Sequence, residues 1–116
     1  MSELAKFELG EVNGIPLARV VGEIDTSNAE KLLKTILGGV SNQAAGLVLD
    51  LTHTTYLDSS GIHVLFEAST RLTASGQQLR IALPADSLIL DVLKVTGLVD
   101  VIPVEETVED AAQALK

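Results

Sequence analysis

Asp58-Ser59-Ser60-Gly61 places one carboxylate, two hydroxyls and a residue without a side chain in four consecutive positions. A hydroxyl in such a run can receive a phosphoryl group, attack a substrate, or cap a helix. Capping is the simplest of the three, because Asp and Ser are preferred where their oxygens can accept the free amides of a helix start. Upstream, Asp25 is a second acid that follows an apolar run. The segment Thr52 to Ser60 is rich in hydroxyl residues and leads from an apolar run straight into a helical pattern.

Several catalytic designs fail on residue type. A hydrolase elbow requires Gly-x-Ser-x-Gly and a histidine partner, but the position two before Ser59 is Leu57. A phospho-aspartate receiver requires adjacent acids after its first strand and a lysine after its fifth, and Val101-Ile102-Pro103-Val104 supplies no lysine. There is no Gly-x-x-x-x-Gly-Lys phosphate loop. His53 reads as a loop residue and His63 as a residue of the following helix. Two isolated histidines make no metal-ligand pattern, so neither a metal nor another cofactor is expected. With no cysteine, disulfides and thiol chemistry are excluded.

The elements that must hold this segment follow from periodicity. Asn13-Gly14 suits a two-residue hairpin turn. Before it, Phe7 and Leu9 alternate with Glu8; after it, Ile15 to Val21 is almost continuously apolar. The first two strands are therefore expected to pair antiparallel, with the first at an edge. Ser27-Asn28-Ala29-Glu30 fits a capping box. Ala29, Leu32, Leu33, Ile36, Leu37 and Val40 then form one helical stripe, which Gly38-Gly39 stops.

Gly46 to Leu51 reads as a buried strand. A second helix is expected from Ser59 or Ser60, burying Ile62, Leu65, Phe66 and Leu72. Leu79 to Leu83 is the next strand. Asp86 or Ser87 caps a third helix carrying Ile89, Val92 and Leu93, which ends at Gly97. Val99 to Ile102 is the expected last strand, and Thr107 caps a final helix with Val108, Ala111, Ala112 and Leu115. The order β-β-α-β-α-β-α-β-α implies a single α/β domain over residues 1–116, with right-handed crossovers and a mostly parallel sheet carrying one antiparallel edge strand. In such sheets chemistry gathers at the carboxyl ends of the strands, which is where Asp25 and Asp58 fall.

Composition narrows the partners. The 116 residues carry a formal net charge of −8, and aromatics make up only 3%. A chain so acidic, without a basic cluster or stacking surface, is not expected to bind nucleic acid or anionic lipid, and a basic protein surface suits it better. No stretch approaches the roughly 20 apolar residues of a membrane span, and the N-terminus lacks a signal-type apolar core. A cytoplasmic protein is expected.

Asp58-Ser59-Ser60-Gly61-Ile62, placed after the Gly46–Leu51 strand, resembles the phosphorylation motif of STAS-domain anti-sigma factor antagonists. Gly22-Glu23-Ile24-Asp25 resembles that family's Gly-Glu-Leu-Asp segment. Leu93-Lys94-Val95-Thr96-Gly97-Leu98 resembles the end of its third helix. The three matches come in order and with compatible spacing, and the resemblance covers essentially the whole chain.

The resemblance implies that Ser59 is the phosphoacceptor, with Ser60 the lesser candidate, and that Asp25 and Asp58 flank it. Asp25, Asp58, Ser60, Gly61, Ile62 and His63 would then form the partner-binding surface. It also implies a non-enzymatic switch in transcription regulation. The unphosphorylated form binds an anti-sigma factor that is also a serine kinase, and so frees a sigma factor. Phosphorylation ends that binding and a serine phosphatase restores it; a monomer or weak dimer is expected. His63 departs from the pattern, since the family commonly has Gly or another small residue there. STAS domains also serve as scaffold subunits of stress-signalling assemblies and as accessory subunits of lipid transporters, which is the alternative role.

Overall fold

A computed structural model describes residues 4–116 of the chain. Strand β1 (Ala5–Val12) turns through Asn13-Gly14 into β2 (Ile15–Ile24). Both turn residues have positive φ, 50° and 82°, the geometry that matches the twist of a tight hairpin. Val12 and Ile15 pair directly across it. The chain continues through α1 (Ala29–Gly38), β3 (Gly46–Leu57), α2 (Ser59–Ala74), β4 (Gln78–Ala82), α3 (Leu88–Val95), a 3-10 turn at Leu98–Asp100, β5 (Val104–Glu105) and α4 (Val108–Ala114).

The five strands lie in sequence order, antiparallel between β1 and β2 and parallel thereafter. Successive parallel crossovers share one hand and so place their helices on one face. Leu47, Leu49 and Leu51 of β3 accordingly pack with Leu32 and Ile36 of α1, Leu65 of α2 and Leu93 of α3, all within 3% of full burial or better. On the other face Leu17, Val48 and Ala82 meet Ala111, Ala112 and Leu115 at α4. With so few aromatics, this interior is filled by branched aliphatic and alanine side chains.

Five sequence expectations are revised. The strand expected at Val99–Ile102 is a 3-10 turn, because Leu98 and Ile102 are both fully buried at helical spacing and the Ile102 amide bonds to the Leu98 carbonyl at 2.9 Å. The pairing strand comes only after Pro103, at Val104–Glu105. Strand β3 runs six residues beyond Leu51, to Leu57. Past the Asp50–Ala82 pair it has β2 alone as a neighbour, so polar Thr52, His53 and Thr55 lie exposed along it. His53 is thus a strand residue, not a loop residue.

The capping box at Ser27 does not form. Asn28 holds the N-cap position without capping through its side chain, and the Asn28 and Ala29 amides donate to the Asp25 carbonyl at 3.2 and 3.0 Å. Side-chain burial is also narrower than the stripes implied: Leu9 and Val92 are exposed, and Phe66, Leu37 and Val40 are only partly covered. Ser87 and Thr107 do cap α3 and α4, each accepting a first-turn amide.

Candidate functional site

The site begins with a break in the sheet. Opposite Arg19–Val21 of β2, strand β3 spends one extra residue between Asp50 and His53. The side chains repair the ladder there. Asp50 Oδ1 accepts the Thr52 amide at 2.9 Å and its hydroxyl at 2.6 Å, while Oδ2 accepts Arg19 Nε at 2.9 Å. The Thr54 hydroxyl donates to the Val20 carbonyl at 3.1 Å. Burial opposes ionisation of Asp50, but the Thr52 hydroxyl and amide and the Arg19 guanidinium outweigh it and hold the carboxyl below the usual carboxylate range. Bulges of this kind re-aim a strand, and here the re-aimed segment is the one that delivers Asp58.

Ile24 and Leu57 are Cα partners at the carboxyl ends of β2 and β3. Asp25 and Asp58 therefore leave the sheet side by side, one strand apart. Each carboxylate then closes on its own loop. Asp25 Oδ1 accepts the Ser27 amide at 2.8 Å and its hydroxyl at 2.6 Å. Asn28 braces this turn by accepting the Asp25 amide and donating to the Glu23 carbonyl. Asp58 is the N-cap of α2: its Oδ1 accepts the Ser60 amide at 2.9 Å, the Gly61 amide at 3.2 Å and the Ser60 hydroxyl. The Ser60 hydroxyl, with the Gly61 and Ser60 amides, holds the Asp58 carboxyl below its ordinary range.

The two serines are thereby separated. Ser60 is half-buried and its hydroxyl is engaged by Asp58, whereas Ser59, the first residue of α2, is exposed and its hydroxyl has no hydrogen-bond partner among the described residues. The cap comes from the aspartate, not from a serine.

Gly61 explains why this helix can start so close to the sheet. A β-carbon there would lie 2.3 Å from Leu57 Cδ1 and 2.8 Å from Ile24 Cγ2, so α2 rests directly on the last residues of β2 and β3. Ile62 turns inward at 8% exposure, while the His63 side chain stands 78% exposed one turn beyond Ser59. Of the residues singled out in the sequence, Asp25, Asp58, Ser59, Ser60 and His63 all reach this end of the sheet, and Gly61 and Ile62 seat it.

Sequence reasoning missed two features. The Asp50–Arg19–Thr52 brace was signalled only by an acid inside an apolar strand. The second is an apolar stripe at α3, where Leu88, Val92 and Val95 are 81%, 36% and 88% exposed. Helix α3 begins beyond the carboxyl end of β4, on the same edge of the parallel sheet as the start of α2. A cleft between α3 and β5, lined by Leu83, Leu90 and Val104 among others, includes none of the site residues. Among the described residues no cluster of His, Asp and Glu is arranged to hold a metal, and no helix is long and apolar enough to cross a membrane.

The STAS domain profile matches residues 6–111, nearly the whole chain. This chain belongs to the STAS domain family. Among curated relatives, BtrV of Bordetella bronchiseptica, whose name provisionally makes it an anti-sigma factor antagonist, is 25% identical over 96% of this chain and 95% of its own length. Among solved structures, an anti-sigma factor antagonist from Mycobacterium paratuberculosis superposes with a TM-score of 0.81 at 24% identity, covering 96% of this chain and 93% of its own. The Bacillus cell fate determinant SpoIIAA in its phosphorylated form does so with a TM-score of 0.64 at 21% identity, over 96% of this chain and all of its own. At these identities the structures establish the STAS fold, and the five-stranded mixed sheet with four helices is that fold.

Proposed function

We propose that this STAS domain is an anti-sigma factor antagonist, switched by phosphorylation of Ser59. The observation that carries the reading is the unequal treatment of the two serines. Asp58 occupies the Ser60 hydroxyl and leaves the Ser59 hydroxyl exposed at the head of α2. The names of BtrV and of the Mycobacterium structure point the same way, and the SpoIIAA structure is of a phosphorylated form.

In this reading the chain is a substrate and not an enzyme. A partner that is both anti-sigma factor and serine kinase supplies ATP. The Ser59 oxygen bonds to the γ-phosphorus, the bond to the leaving ADP breaks, and the hydroxyl proton passes to a base on the kinase. A serine phosphatase returns the hydroxyl by hydrolysis, and both partners meet the chain in the cytoplasm.

Before phosphorylation the partner docks on the head of α2, on the Asp25 turn and on the exposed Leu88–Val92–Val95 stripe. Apolar area supplies contact, and the −8 net charge favours a basic partner surface. Phosphorylation adds about −1.5 to −2 charge at pH 7 at that head, which repels the partner without unfolding a helix whose cap is elsewhere.

The test is incubation with candidate anti-sigma kinases and ATP, followed by tandem mass spectrometry. A single phosphate on Ser59 supports the reading. A phosphate on Ser60, or none with any kinase that binds the chain, contradicts it.

A further inference from the structure

Ser59, His63, Glu67 and Arg71 follow one another at four-residue steps along α2 and so form a row on its outer surface. The row is already wired at its far end. Arg71 Nη2 lies 2.6 Å from Glu67 Oε2, and His63 Nε2 lies 3.8 Å from Glu67 Oε1. Glu67 thus has a permanent cation on one side and a titratable ring on the other, and the next position beyond that ring is Ser59.

The head of α2 is poor in partners for a phosphate. Three first-turn amides, those of Ser59, Ser60 and Gly61, are not used inside the helix, since the Ile62 amide already reaches the Asp58 carbonyl. Asp58 Oδ1 takes two of the three. A phosphate on Ser59 would therefore sit beside a carboxylate and find most of the usual helix-start donors occupied. The nearest group on its own face that can become a cation is the His63 ring, and side chains in a helix lean toward the N-terminus, that is, toward Ser59.

We propose that His63 is the internal counter-cation of phosphorylated Ser59, and that it makes the size of the switch depend on pH. The proposal rests on the Ser59 reading above. On phosphorylation the imidazolium exchanges the Glu67 carboxylate, which Arg71 retains, for the phosphate. In the pH window between the ring's midpoints in the two states, phosphorylation brings a proton onto His63, and the imidazolium so formed cancels part of the added negative charge there. Other elements packed against α2 carry Glu30, Lys31 and Lys34 on α1, His53, Tyr56 and the buried, Arg19-bound Asp50 on β3, and the part-buried, Glu105-bound Arg80 on β4. Among the described residues, Glu67 is the one charged partner of His63.

The test does not need the kinase. Phosphoserine is installed at position 59 during translation, in the otherwise unaltered chain and in the His63→Gln variant. Imidazole resonances and the phosphorus resonance are then followed against pH by NMR. The His63 midpoint should rise by about half a pH unit on phosphorylation. The second ionisation of the phosphate should lie lower by a comparable amount than in His63→Gln, because the coupling is reciprocal. A His63 midpoint that moves no more than that of His53, with the same phosphorus titration in both proteins, overturns the proposal. Because the phosphate is placed during translation, a kinase that ignores Ser59 would contradict the switch and leave this result readable.

Discussion

The Ser60 hydroxyl donates to Asp58 Oδ1, the same oxygen that accepts the Ser60 and Gly61 amides. One carboxylate oxygen thus caps α2 and engages the hydroxyl of one of two adjacent serines. Asp58→Ala should consequently have two effects that travel together. Thermal and urea midpoints should fall, because the cap is lost. The Ser60 hydroxyl, now free, should become a second phosphorylation site detectable by mass spectrometry. A variant of reduced stability that is still modified on Ser59 alone would show that something other than this hydrogen bond selects the serine.

Gly61 and Gly38 form a matched pair of tests. A β-carbon at Gly38 meets nothing within 4 Å, whereas one at Gly61 strikes Leu57 and Ile24. Gly38→Ala should be neutral or gain up to about 1 kcal/mol from helix propensity. Gly61→Ala should lose about 1–3 kcal/mol by overpacking, less the same propensity gain. Chemical denaturation of the two variants reads the difference directly.

Asp50 and Asp58 both ionise at a lower pH in the folded chain than an ordinary aspartate. Their folded-state contribution is therefore fully present above the unfolded aspartate value of about 3.9. It is lost as the pH falls through the lower folded-state values. Urea midpoints should be level from pH 7 to about 5 with respect to these two groups and decline below about 4. Asp50→Asn should flatten that decline. It should also cost about 1–3 kcal/mol at pH 7, a discounted figure because the Arg19 side chain remains 39% exposed and can turn to solvent. A decline unchanged in Asp50→Asn would remove the bulge brace as its source.

Leu88 and Val95 are the most exposed apolar side chains of α3. Leu88→Ser and Val95→Ser should leave stability within about 0.5 kcal/mol, since neither contributes to the packed interior. Affinity for the kinase partner should fall several-fold in each, measured by titration calorimetry. Unchanged affinity in the double variant would take α3 out of the docking surface.

Much of the fold was legible because local chemistry and period agreed. Asn13-Gly14 can hardly be other than a hairpin turn between two strand-like runs. Ser87 and Thr107 sit where capping residues precede helical stripes. The misreadings arose where tertiary context decides. Val99–Ile102 is apolar enough for a strand, but a 3-10 turn buries Leu98 and Ile102 together. The polar stretch after Leu51 looked like a loop because nothing local reveals that β4 ends opposite Asp50 and leaves one edge of β3 wet.

At the site, the chain order placed Asp25 and Asp58 correctly at the carboxyl ends of adjacent strands. It could not divide labour among Asp58, Ser59 and Ser60, since all three are good capping residues. The division depends on a side-chain rotation that the sequence does not encode in any spacing. The Arg19–Asp50 brace was hidden for a similar reason: its partners are 31 positions apart and meet only through strand register.

Charge on Ser59 is expected to govern partner binding without disturbing the fold. This expectation is tested by measuring the affinity of a kinase-type anti-sigma factor for the unaltered chain, Ser59→Asp and Ser59→Ala, with unfolding curves for each. The three proteins should be equally stable, with tight binding by the unaltered chain and Ser59→Ala and at least tenfold weaker binding by Ser59→Asp, about 1.4 kcal/mol. Equal affinity for all three, or a loss in Ser59→Asp matched by a loss of stability, would contradict that expectation.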